Sequence, residues 1–92
     1  MMGPITPQEI AAAAGNLLQL HERVLLDLEQ RLSAGICQRG ARRGAPLERG
    51  YRRRLECWAD RVRNAIAYER RVLATAEALA LRGVSDAGWL IG

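Results

Sequence analysis

Few residues in this 92-residue chain have chemistry to offer: one histidine, His21, two cysteines, Cys37 and Cys57, and a set of carboxylates and arginines. A lone imidazole serves as a base or as a pH-sensitive contact when a carboxylate orients it, and Glu69 and Glu22 are the acids expected to approach His21. The commoner role for such a histidine is that of a hydrogen-bonded core residue. His21 and two cysteines do not make a normal zinc ligand set, and no Cys-x-x-Cys pair is present. No glycine-rich phosphate loop follows a strand, and no nucleophile has a base at a useful spacing. The sequence therefore predicts no catalytic residue, no metal and no cofactor, and reads as non-enzymatic. Cys37 is placed at the end of one helix and Cys57 near the seam of another, beside Trp58, too far apart for a disulfide. Reduced thiols in a cytoplasm are the simplest expectation.

All fourteen basic residues are arginine, which a GC-rich genome produces without any chemical reason. Their distribution says more than their number. Within residues 39–54 seven arginines face one acid, Glu48, so this window carries +6 of a total +4 and the rest of the chain sums to −2. Arg42, Arg43, Arg52, Arg53 and Arg54 are the candidate contacts for an anionic partner such as nucleic acid. Only Tyr51 interleaves with them, and no helix-turn-helix or zinc-finger spacing accompanies them, so a solvated, solubilising loop is the competing reading.

The elements that position these residues follow from periodicity. Thr6-Pro7-Gln8-Glu9 has the form of a capping box, with proline suited to the first helical turn. From there Ile10, Ala14, Leu17, His21, Val24 and Leu28 recur at steps of four and three, and Leu18, Leu25 and Leu32 run beside them. A helix is predicted over residues 7–34. Residues 35–46, rich in Gly and Arg, read as an exposed connection, and Pro46 is placed to open a second helix over 47–82. In that helix Tyr51, Leu55, Trp58, Val62, Ala65, Glu69, Val72, Ala76 and Leu79 form the expected seam, with Gly83 as the stop. Glu69 interrupts the seam, where it either fixes register or pairs with an arginine. The tail, 83–92, is apolar enough for Trp89 and Leu90 to fold back. No stretch is long and apolar enough to cross a bilayer, and no basic segment precedes the first apolar run as a secretory signal requires. The fold class is all-α: an antiparallel, coiled-coil-like two-helix hairpin forming a single domain.

A second apolar row, Ala59, Ile66, Leu73 and Ala80, is displaced from the expected seam, and Leu18, Leu25 and Leu32 are its counterpart on the first helix. One facing helix is not expected to cover both rows, and leaving large aliphatic side chains wet forfeits about 1.5 to 3 kcal/mol each. Leu18, Leu25, Ala59, Ile66 and Leu73 are therefore the expected partner-binding residues. The cover would be the tail, a second copy of the chain, or another protein, the last being favoured, and the competing reading is that wide Leu and Ala faces mean only a well-filled core.

Length, hairpin pattern and two runs, Gly50 to Ala59 and Asn64 to Tyr68, resemble the small co-chaperones of bacterial type III secretion needle subunits. The likeness spans residues 17–80. It rests on a long helix, a Gly-containing turn, an aromatic near the start of the second helix and a small-apolar stretch after it. The resemblance implies a hairpin in the bacterial cytoplasm that pairs with a larger helical-repeat chaperone and keeps the needle protein unpolymerised until export. The longer Arg-rich connection and the Trp89-Leu90-Ile91 ending depart from that pattern. Secreted dimeric hairpins of similar length carry a Trp-x-Gly turn, which this loop lacks.

Overall fold

The computed structural model describes residues 3–38 and 40–90; Arg39 of the basic window and Ile91 of the tail lie outside the described residues. Among the described residues two long helices run antiparallel, α1 at Pro7–Ala34 and α2 at Arg49–Leu81, followed by a single 3-10 turn at Gly88–Leu90. The result is an all-α hairpin, a rod of 55 × 23 × 19 Å.

α1 starts and stops where its local chemistry dictates. Glu9 N–H donates to the Thr6 hydroxyl at 3.2 Å and Thr6 N–H donates to the Glu9 carboxylate at 3.4 Å, which satisfies two amides that the first turn leaves without helical partners. At the other end Gly35 takes φ 68°, a left-handed conformation that costs glycine nothing, and its N–H returns to the Arg31 carbonyl.

The connection is largely exposed, as expected, but its backbone is ordered. Ile36 and Pro46 form an isolated antiparallel β-bridge. Around it Cys37 N–H donates to the Ala45 carbonyl at 2.8 Å, Gly44 N–H to Cys37 at 2.8 Å and Leu47 N–H to Gly35 at 3.0 Å. Pro46 is thus held in the bridge and does not open α2, which begins at Arg49 with Glu48 as its N-cap. The reason is local: a residue in extended, bridged backbone is unavailable for a helical turn, and Gly44 at φ 87° supplies the reversal the bridge needs.

The core has two parts. Towards the loop Leu28 is fully buried against Leu55, Ala59, Val62 and Ile66, with Leu18, Val24, Leu25, Leu32 and Leu47 packed around them. At the free end Ile10, Ala76 and Ala87 form a second cluster, edged by Ala11, Val72, Leu79 and Leu90. The tail therefore does fold back, but through Ala87 and Leu90, whereas Trp89 stays largely exposed.

The seam is rotated relative to the sequence expectation. Leu55, Val62, Glu69 and Ala76 face α1 as expected, and Val72 and Leu79 pack at the free end, but towards the loop the residues completing the interface are Ala59 and Ile66, not Trp58 and Ala65. Ala59 is 0% exposed and Ile66 5%, while Trp58 is half exposed. A methyl side chain lets the two helices approach closely, whereas an indole between them would hold them apart. On α1 the same rotation draws Leu18, Leu25 and Leu32 into the interface and turns Leu17 out of it. Cys57, expected near the seam, is exposed on the outer face of α2.

Candidate functional site

The polar centre of the seam is the pair His21 and Glu69, whose Nδ1 and Oε1 atoms lie 2.6 Å apart. Glu69 is buried and its second carboxylate oxygen, Oε2, has no hydrogen-bond partner. A buried carboxylate with one satisfied oxygen is costly anywhere except opposite its imidazole, so the pair resists slippage of one helix along the other. It is Glu69 that meets His21; Glu22 instead accepts from Arg70 across the helices at 3.4 Å, one step further out. No arginine pairs with Glu69 among the described residues.

Of the five residues expected to bind a partner, Ala59 and Ile66 are buried in the hairpin core, and Leu18, Leu25 and Leu73 are half-buried along its edge. Leu18 and Leu25 pack on the Leu28 cluster. The expectation that this row stays uncovered is corrected at Ala59 and Ile66: α1 covers them, because the small Ala59 allows the approach and Leu18 and Leu25 of α1 pack on the same cluster.

The uncovered apolar surface is on the other side. Glu22 and Arg70 meet across one flank of the seam, and residues two apart in a helix point roughly 200° apart, so Leu20 and Tyr68 both face the opposite flank. Leu17, three residues before Leu20, lies on that flank too. Leu17 is 48% exposed, and Leu20 and Tyr68 are each 55% exposed. Trp58 and Tyr51, one and two heptads before Ala65, extend the strip towards the loop and are also exposed. At the free end the same row continues into Val72 and Leu79, and there the tail covers it.

Where the strip reaches the loop it opens into a groove of about 500 Å³, walled by Ile36, Leu47 and Tyr51 and by the guanidinium groups of Arg31, Arg42 and Arg54. Two of those arginines are already engaged: Arg31 with Asp27 at 3.0 Å, and Arg42 with Glu48. The Glu48 hydrogen bond and charge raise the pKa of Arg42 above its ordinary value, so this guanidinium stays charged. The same contact explains why Glu48, though the N-cap of α2, makes no side-chain cap to the helix. Arg54 has no ion-pair partner among the described residues. Of the other expected anion contacts Arg52 pairs with Glu56 at 3.4 Å, while Arg43 and Arg53 are exposed and without an acidic partner among the described residues.

Cys37 and Cys57 are free thiols, and among the described residues no cluster of three or more His, Cys, Asp or Glu side chains comes together. Among them, too, no helix is long and apolar enough to cross a membrane. Sequence reasoning missed Leu20 and Tyr68 and assigned Leu17 and Trp58 to the seam. The signal that separates the rows is side-chain size: of the two rows flanking Leu55 and Val62, the one beginning with alanine and not with tryptophan fits between close helices. No family model matches the chain, and no curated protein or solved structure does either.

Proposed function

We propose that this chain is a non-enzymatic adaptor that binds another helical protein along the flank bearing Leu17, Leu20, Tyr68 and Trp58. The observation that carries this reading is the contrast along a single strip: the tail covers its free-end part, and the next turns leave Leu17, Leu20, Tyr68 and Trp58 uncovered around the exposed Arg61. The surface area points the same way. The hairpin exposes 6960 Å², against about 5,300 Å² expected of a compact monomer of this mass. A rod with that much surplus surface is suited to lying against another rod.

Within this reading the co-chaperone role is the specific form we favour: a bacterial, cytoplasmic hairpin that supports a helical-repeat chaperone holding a type III secretion needle subunit. Its support is the sequence pattern of residues 17–80 together with the hairpin architecture. The strip on which the partner lies is then Leu17 to Tyr68, in place of Ala59 and Ile66.

The test is the mass of the complex recovered from the native host. The 10.2 kDa chain is expected to travel in a larger assembly. Leu17→Asp combined with Leu20→Asp is expected to release it as a monomer with an unchanged thermal melt, because both side chains are exposed in the hairpin. A doubled mass, abolished by the same variant, would make the partner a second copy. A wild-type chain that is already a folded monomer in its host would overturn the proposal.

A further inference from the structure

We infer that the loop-end groove receives an acidic, apolar segment of the partner protein, with one carboxylate at Arg54 and an aliphatic or aromatic side chain against Ile36, Leu47 and Tyr51. This rests on the adaptor reading and names the partner's chemistry.

Size and position come first. At about 500 Å³ the groove lies within the range of ligand sites and is larger than a packing defect between two helices requires. It also continues the uncovered strip. Asp27 follows Leu20 by one heptad, Arg31 follows Val24 by one, and Tyr51 precedes Trp58 by one, so a partner lying along the strip arrives at the groove without changing direction.

Charge then selects the occupant. Among the described residues three guanidinium groups and the carboxylates of Asp27 and Glu48 line the groove, which leaves one positive charge on this lining, and it resides on Arg54. A single carboxylate balances that site. A polyphosphate does not, because its further charges would face Asp27 and Glu48, which are fixed in place by their own arginines. The apolar wall of Ile36, Leu47 and Tyr51 asks for a hydrophobic side chain beside the carboxylate. A helix or extended segment of Glu or Asp adjacent to Leu, Ile or Phe meets both demands.

The test uses the full chain and two short synthetic peptides, one of Leu and Glu and one in which every Glu is Gln, titrated while amide NMR shifts are followed. The Glu peptide is expected to bind about tenfold or more tightly than the Gln peptide, the value of one charge-assisted hydrogen bond, and to shift Leu47 and Tyr51. Arg54→Gln, an exposed substitution whose fold is checked by its melt, is expected to erase the preference and leave the Gln peptide's affinity unchanged. Equal binding of the two peptides to wild type would overturn the inference, as would a preference that survives Arg54→Gln. Duplex DNA shifting the same amides more strongly than the Glu peptide would overturn it in favour of nucleic acid. These outcomes are separable from the adaptor reading, which fails only if the host chain is a free monomer.

Discussion

At the free end of the hairpin the chain closes over its own apolar surface: Ala87 N–H donates to the Ile5 carbonyl at 2.7 Å, and Ala87 and Leu90 seal Ile10, Ala76 and Leu79. At the loop end the backbone is tied as firmly, by the Ile36–Pro46 bridge and three further hydrogen bonds, yet the side chains around it remain open as a groove. The difference lies in what each segment carries. The tail brings small and aliphatic residues back onto the helices, whereas half of residues 35–46 are Gly or Arg, which order a backbone without covering an apolar wall. One end is finished internally; the other leaves an apolar wall open.

That contrast can be strained from either side. The largest effect is expected in the seam next to the loop, where Leu28→Ala removes a fully buried side chain and should cost about 2 to 5 kcal/mol, read from denaturant melts. A cost below 1 kcal/mol would mean that the loop half is loosely packed and that the groove reflects poor closure. Deleting residues 84–92 uncovers Ile10, Val72 and Leu79, and about 1.5 to 3 kcal/mol should be lost. The faster amide exchange that follows should be confined to the free end; spread to Leu47 and Tyr51 would show the two ends to be coupled. Between them, Glu69→Ala strands His21 and is expected to cost about 1 to 3 kcal/mol. Replacing both His21 and Glu69 with leucine should recover most of that loss while loosening the register. No recovery in the double variant would mean that the pair adds stability in its own right and is more than a register device.

Much of the fold was legible in the sequence because it depends on local rules. Thr6, Pro7 and Glu9 mark the start of α1 and Gly35 its end, since capping chemistry involves residues within four positions of each other. That a glutamate approaches His21 was legible as well, because His21 and Glu69 both interrupt apolar rows, but the choice of Glu69 over Glu22 was not, since both lay within reach on the sequence pattern alone. The rotation of the helices was not, since the row of Leu55, Val62 and Ala76 is flanked by apolar residues on both sides and periodicity alone treats Trp58 and Ala59 as equals. Only interhelical distance separates them, and it is a tertiary quantity. For the same reason the open strip was placed on the wrong flank. The bridge at Ile36 and Pro46 was hidden too, because proline beside a helix is usually read as the first residue of that helix.

Everything functional turns on which flank is open, and paired thermal melts of Ile66→Asp and Leu20→Asp measure it directly. Ile66 lies in the core, so its variant is expected to lose the cooperative transition, the cost of burying a charge there exceeding what a domain this small has in reserve. Leu20→Asp is expected to melt within about 0.5 kcal/mol of wild type. A folded Ile66→Asp beside an unfolded Leu20→Asp would place the seam on the opposite flank and contradict the account.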